Sequence, residues 1–286
     1  MKLSGLIFLL GLQACAAEKD DLHHYAETGE LSSVRRLVRE GLDPNVVDAG
    51  GTTPMHLAAS RGHTEVCEFL KDSGASVDQK NADGVSPLLL AASQGHLASV
   101  RFLLGSGADP SAQDRENLTP LLHSFVYGQP SSKVIEALVE AGADVNATNN
   151  DGQTPLILAA QGFFSLEYIP SHEQVLRTIL RVGGDLEATD EDGKTALHAA
   201  LDVLGIEKES IIGILLDAGA AVNVQDESGL TPLMSAVYSG KIAIVEGLIE
   251  RGARPETRND DQQSAIDIAE MFEDSEILEA LERALP

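Results

Sequence analysis

A nine-residue phrase recurs along the chain at a nearly constant interval, and this period constrains the fold more than any other feature. The intervals between phrases are 33, 33, 35, 41, 36 and 33 residues. A period of this length indicates an array of similar units, each of which buries its apolar side against the next. The opening positions are Gly51, Gly84, Asn117, Gly152, Gly193, Gly229 and Gln262.

The residues of one unit predict two short helices. Thr53-Pro54 provides a helix cap followed by a proline in the first turn, where its missing N–H costs nothing. Gly62 ends this first helix, and apolar residues at three- and four-residue spacing within 100–104 predict a second helix in the next unit. Gly107 ends that helix. Asp83-Gly84 predicts a tight hairpin turn between units.

The phrase Gly51-Thr52-Thr53-Pro54-Met55-His56-Leu57-Ala58-Ala59 resembles the Thr-Pro-Leu-His-x-Ala signature of the ankyrin-repeat family. The resemblance covers residues 21–286 and implies an all-α solenoid of stacked helix pairs with β-hairpin or turn connections, folded as a single domain. Residues 21–50 resemble an N-terminal cap, and residues 262–286 a C-terminal cap. Asn117 at a glycine position and Ala196 at a proline position depart from the pattern without threatening the fold.

The chain is strongly acidic. It contains 45 Asp and Glu residues against 20 Lys and Arg, a formal net charge of -25. This charge repels phosphate backbones and anionic lipid, so nucleic acid is not an expected partner. The acidic residues at the predicted hairpin tips either solubilise the array or steer a basic partner towards it. They are Asp83, Asp114, Glu116, Asp151, Asp190, Glu191, Asp192, Asp226, Glu227, Asp260 and Asp261.

The N-terminus predicts export. One basic residue, Lys2, precedes an apolar run to Leu12 and then small residues, which is typical of a signal peptide over residues 1–16. Residues 12–15 also resemble a bacterial lipobox, in which Cys15 becomes the lipidated first residue. The expected location is therefore the periplasm, either free or anchored by lipid. Glycosylation sequons at Asn117 and Asn146 fall within tight turns, which favours a bacterial compartment.

The sequence contains none of the common catalytic or phosphate-binding motifs, so we expect neither an enzyme nor a cofactor or metal site. His56 and His198 stand at the phrase's histidine position, where the resemblance implies hydrogen bonds to neighbouring turns. The adjacent pair His23-His24 is interpreted as surface histidines. Cys67 falls at an apolar position of a second helix, which predicts a small buried side chain.

Aromatic residues gather in the longest unit of a chain that is only 4% aromatic. Three consecutive intervals exceed 33 residues, and we expect the extra residues between the first and second helices, on one face of the array. Phe163, Phe164 and Tyr168 lie in the largest insertion, and Tyr127 and Tyr238 lie at the ends of other first helices. These five side chains are predicted to bind a partner. The alternative is that they fold inward and fill the loops.

Together these features predict a non-enzymatic module that binds a folded protein and is monomeric when free. Exported bacterial proteins of the family include immunity inhibitors of peptidoglycan endopeptidases, so the resemblance implies an inhibitor that caps a cell-wall hydrolase. The alternative is a scaffold or assembly factor that supports a periplasmic stress enzyme. The predicted partner-binding residues include Asp151, Asp190 and Asp192 from the acidic tips.

Overall fold

A computed structural model describes residues 21–162, 169–202 and 209–285. Within these residues the chain forms sixteen α-helices in consecutive pairs, so each repeat has a first and a second helix. In the first half of the chain the helices are α1 (21–28), α2 (Leu31–Arg39), α3 (Pro54–Ser60), α4 (Thr64–Asp72), α5 (Pro87–Ser93), α6 (Leu97–Gly105), α7 (Pro120–Tyr127) and α8 (Ser132–Glu140). In the second half they are α9 (Pro155–Gln161), α10 (Ile169–Arg181), α11 (Ala196–Asp202), α12 (Glu209–Asp217), α13 (Pro232–Tyr238), α14 (Ile242–Glu250), α15 (Ala265–Met271) and α16 (Ser275–Arg283).

The chain divides into two compact units, Met1–Asp144 and Val145–Pro286. In the N-terminal unit the first helices α3, α5 and α7 pack side by side, and the second helices α4, α6 and α8 form a parallel layer. In the C-terminal unit α9, α11, α13 and α15 form the first layer, and α10, α12, α14 and α16 form the second. The prediction of all-α stacked helix pairs is therefore confirmed. That they form a single domain stays a prediction.

The first helices begin where the Thr-Pro pairs predicted. The Thr53, Thr119, Thr154 and Thr231 side chains each accept a hydrogen bond from the backbone N–H three residues later. Such a cap satisfies one of the N–H groups that a helix start leaves without a partner. Ser264 and Asp267 form a reciprocal capping box at the start of α15, where the proline is missing.

The connections between repeats are tight turns, and the described residues contain no β-strand beyond the isolated bridge of Arg258 with Ser264. At each turn an Asp or Asn side-chain oxygen accepts hydrogen bonds from backbone N–H groups. In a β-hairpin these N–H groups would instead bond to the neighbouring strand. Asp190 Oδ1, for example, accepts from the N–H groups of Asp192 at 3.0 Å and Lys194 at 2.9 Å. Asp48, Asn81, Asp114, Asn149 and Asp226 make the same pair of bonds.

Adjacent turns are joined by backbone hydrogen bonds that leave little space between them. Within the C-terminal unit, the Glu191 N–H donates to the Asp151 carbonyl at 3.0 Å. Gly152 beside it has φ +73°, and a Cβ there would lie 2.9 Å from the Glu191 nitrogen. The recurring glycine is therefore needed both for its left-handed conformation and for the close approach of the next turn.

Extra residues separate the two helices of the long repeats, as the intervals predicted. Four residues, 128–131, separate α7 from α8. In the next repeat α10 begins at Ile169 and has 13 residues, whereas α8 and α12 have nine. Part of the insertion thus lengthens the second helix. Pro170 is tolerated at its second position because N–H groups in the first turn of a helix have no partner within the helix.

Candidate interaction surface

Exposed apolar side chains concentrate at the C-terminal ends of first helices. Among the described residues, five of the seven large exposed apolar side chains lie within one residue of the last residue of α7, α13 or α15. We call these positions the helix-end surface of each unit. They are Val126 and Tyr127 in the N-terminal unit, 42% and 52% exposed, and Tyr238, Met271 and Phe272 in the C-terminal unit, 44%, 64% and 58% exposed.

Two neighbouring side chains fix the orientation of Tyr127 at the end of α7. Its hydroxyl donates to the Glu116 carboxylate on the preceding turn, and this bond raises the pKa of Tyr127 to about 12. Its ring lies 4.9 Å from the ring of the buried His123. The phenol is therefore fixed in place while half of its surface remains open to solvent, so it does not fold inward.

Tyr238 forms the corresponding feature of the C-terminal unit. Its ring meets that of Phe272 edge to face, with the centroids 5.8 Å apart. Edge-to-face aromatic pairs are favourable beyond the area that they bury. Met271 precedes Phe272 at the end of α15, and its sulfur accepts a hydrogen bond from the Gln263 side chain at 3.1 Å. Three large apolar side chains thus lie on adjacent helix ends.

The remaining predicted residues fall elsewhere. Phe163, Phe164 and Tyr168 lie outside the described residues, as does Cys15. The described flanks, Gly162 and α10, place that insertion directly after the end of α9, the same position in its repeat as the helix-end surface.

The acidic residues of the turns divide into two kinds. Asp151 and Asp192 have exposed side chains, and the nearest cation to Asp192 is Lys194 at 3.8 Å. Asp190 instead uses its carboxylate to hold its own turn, and the same holds for Asp114 and Asp226. Whether Asp151, Asp190 and Asp192 bind a partner stays a prediction, but the structure gives Asp190 a second, structural task.

The histidines of the phrase are structural, as predicted. His56 Nε2 donates to the Val85 carbonyl of the next turn at 3.0 Å, and its Nδ1 accepts from the Thr53 N–H at 3.1 Å. His198 is placed in the same way between Thr195 and Leu230. Burial lowers the pKa of both imidazoles.

The interpretation of His23 as a surface histidine is wrong. His23 is buried, and its Nε2 lies 2.9 Å from the Thr52 carbonyl, so it plays the part of His56 in the N-terminal cap. This cap lacks the opening phrase, so its alignment with the other repeats, and with it the role of His23, could not be inferred. His24 is exposed, as predicted.

Other chemistry is sparse in the part of the chain that the structure describes. Cys67 is fully buried, which confirms its prediction, and burial raises the pKa of its thiol to about 12. Those residues include no cluster of His, Cys, Asp or Glu suited to a metal ion. None of the helices searched is both long and apolar enough to span a bilayer.

Sequence reasoning missed Val126, Met271 and Phe272. Aligning the repeats by their Thr-Pro phrases would have revealed them, because these positions are polar in the first two repeats. The positions of Val126 and Met271 are occupied by Ser60 and Ser93 in the first two repeats, and those of Tyr127 and Phe272 by Arg61 and Gln94.

Comparison with known proteins gives a consistent result along most of the chain. The family described as ankyrin repeats (3 copies) matches residues 22–114, 122–211, 169–259 and 203–281. Human ankyrin repeat domain-containing protein 39 is 37% identical over 73 residues, which are 24% of this chain and 40% of that protein. Acyl-CoA-binding domain-containing protein 1 of Arabidopsis thaliana is 38% identical over 56 residues, 20% of this chain and 17% of that protein.

A third relative, rat ankyrin repeat domain-containing protein 46, is 43% identical over 42 residues, 15% of this chain and 18% of that protein. The chain therefore spans less than half the length of each of these relatives. The similarity therefore covers only part of each relative.

Proposed function

Because the chain belongs to the ankyrin-repeat family, whose repeats are generally non-catalytic modules that bind folded proteins, we propose that it binds a protein partner through its helix-end surface. The observation that carries this proposal is the position of the exposed apolar side chains. Five of the seven among the described residues lie at the same point of the repeat, where the longest insertion also begins. Aromatic side chains and methionine are enriched at protein interfaces because they bury a large area.

The use that we propose for this binding is inhibition of an exported enzyme, with a peptidoglycan hydrolase as the candidate partner. Support comes from the signal-like residues 1–16, with Cys15 as the possible site of a lipid anchor facing the periplasm. Asn146 adds a further argument. Its side chain donates to the Gly183 carbonyl at 3.1 Å and accepts from the Asp185 N–H at 2.9 Å, so a glycan on Nδ2 would crowd a side chain that holds the next turn. The sequon is therefore compatible with the fold in a compartment where N-glycosylation does not occur.

The test begins with capture of the partner from native envelope and its identification by mass spectrometry. Replacing Tyr127 of the helix-end surface together with Phe163, Phe164 and Tyr168 by Ala should weaken binding by roughly 2 kcal/mol or more, with little change in the melting temperature. The matched control replaces Val47 and Leu285 by Ala; both are exposed but neither lies at the end of a first helix, and the change should leave affinity unchanged. Lost stability at unchanged affinity would instead mean that the aromatic side chains fill the loop.

An activity assay then tests inhibition. Adding the protein should abolish the activity of the captured hydrolase in proportion to the fraction bound. If the bound enzyme stays fully active, the protein acts as a scaffold and the inhibitor assignment fails.

A further inference from the structure

The C-terminal cap carries an apolar patch inside an acidic surface. Met271 and Phe272 are adjacent in sequence, and Glu270 and Glu273 bracket them directly. All four residues are exposed, and Tyr238 on the neighbouring helix extends the patch through its edge-to-face contact with Phe272. Within the described residues neither Glu270 nor Glu273 has an ion-pair or side-chain hydrogen-bond partner. The two carboxylates are therefore open to a cation.

This part of the chain carries a large excess of negative charge. Residues 262–286 contain seven acidic residues and one basic residue, and residues 145–286 contain 26 acidic and nine basic residues. Charges of one sign around an apolar patch attract ligands of the opposite sign and repel like ones.

We propose that the patch of Tyr238, Met271 and Phe272, with Glu270 and Glu273, binds a cationic helical segment of a partner protein, with lysine or arginine residues on one face and apolar side chains on the other. The apolar side chains would cover Met271 and Phe272, and the cations would meet the two carboxylates. This inference rests on the proposed protein-binding function and specifies the chemistry of the partner.

Charge argues against the other occupants of such a patch. A second copy of this chain would bring the same acidic surface against it, since a two-fold interface pairs each surface with its equal. An anionic membrane would be repelled for the same reason. A basic protein segment is the occupant that gains from both the apolar and the acidic part of the surface.

The experiment uses the full chain and a labelled 14-residue probe peptide of lysine and leucine at helical spacing, with anisotropy measured in 150 mM salt. Two matched peptides replace every lysine by glutamate, or every leucine by serine. We expect the lysine–leucine peptide to bind at least tenfold more tightly than either. Equal binding of the glutamate peptide, equal binding of the serine peptide, or no binding of the lysine–leucine peptide would overturn the proposal.

Variants locate the site. Met271→Gln with Phe272→Gln should weaken peptide binding at least tenfold, whereas Val47→Gln with Leu285→Gln, an exposed pair elsewhere (45% and 42%, against 64% and 58%), should leave it within twofold. Glu270→Gln with Glu273→Asn should weaken binding more at low salt than at high salt, because salt screens the attraction between the two carboxylates and the cations. Asparagine is chosen at position 273 because it tolerates the positive φ of 56° there. The matched control here is Glu246→Gln with Glu250→Gln on α14. Equal effects of test and control pairs would refute the assignment, and thermal melting verifies that each variant folds.

Sedimentation addresses self-association directly. A wild-type dimer that the Met271/Phe272 variant converts to monomer would assign the patch to a second copy and overturn the proposal. The outcome is separable from the proposed function, because partner capture that depends on Phe163, Phe164 and Tyr168 would persist even if this patch bound nothing.

Discussion

At the scale of single residues, His123 is the side chain least suited to its position. The equivalent places in three other repeats hold Leu57, Leu90 and Leu158, whereas His123 is buried with its Nδ1 lacking a hydrogen-bond partner among the described residues. Its Nε2 lies 3.8 Å from the Asp114 carboxylate. Burial lowers the pKa of His123 despite that carboxylate. An unsatisfied buried nitrogen reduces stability, and its cost grows when the group is forced to take a proton.

We therefore predict that His123→Leu raises the free energy of unfolding by about 1–2 kcal/mol at neutral pH. The gain should increase as the pH falls below about 6.5, because the unfolded wild type then binds a proton that the folded protein excludes. Chemical denaturation of both proteins at a series of pH values measures the difference in their free energies of unfolding. The contributions of other titrating groups are the same in both proteins and cancel in this difference. His24→Leu at an exposed position is the control and should show no such trend. A pH-independent difference for His123 would contradict the lowered pKa.

At the scale of elements, the second helices are joined to their neighbours through buried leucine, isoleucine and valine side chains. In the N-terminal unit α6 packs against α4 and α8, and Leu103 on α6 is fully buried. Adjacent Leu104 is only partly buried. The two leucines therefore offer a matched comparison of the same chemical change at two depths.

Leu103→Ala should lower the free energy of unfolding by roughly 2–5 kcal/mol because it leaves a cavity among packed helices. Leu104→Ala should cost less than half as much, since less of its surface is buried. Equilibrium denaturation of both variants provides the comparison. Equal losses would show that burial in this layer does not set the contribution of a side chain.

At the scale of the whole molecule, charge is the dominant property. The net charge of -25 favours a basic partner at long range, and the exposed carboxylates of Asp151 and Asp192 on the turns contribute to that field. Asp190 is a poor choice for testing this idea, because its carboxylate also holds a turn together.

Asp151→Lys with Asp192→Lys should therefore slow association with the captured partner, strongly at low salt and little at high salt. Stopped-flow or surface-binding kinetics at several salt concentrations would measure the effect. Glu246→Lys with Glu250→Lys on α14 makes the same charge change away from the turns and should slow association less. If the two pairs behave alike, only net charge matters and the turns have no special part.

Local sequence was enough to predict the repeat, the helix starts at Thr53, Thr119, Thr154 and Thr231, and the roles of His56, His198 and Cys67. These features depend on residues close together in the chain, on capping, backbone conformation and apolar spacing, so their pattern is legible without the fold. It also selected Tyr127 and Tyr238, because their place at a helix end follows from the same register.

The packing of neighbouring repeats sets which side chains remain open to solvent and which carboxylates hold turns. Met271 and Phe272 are apolar, and only their register in the repeat indicates exposure; the structure shows that the end of α15 leaves both open to solvent. His23 looks like a surface residue, but the Thr52 carbonyl, 29 residues away, accepts its hydrogen bond. Exposure and hydrogen bonding of this kind depend on atoms that a neighbouring repeat supplies, and local sequence does not specify them.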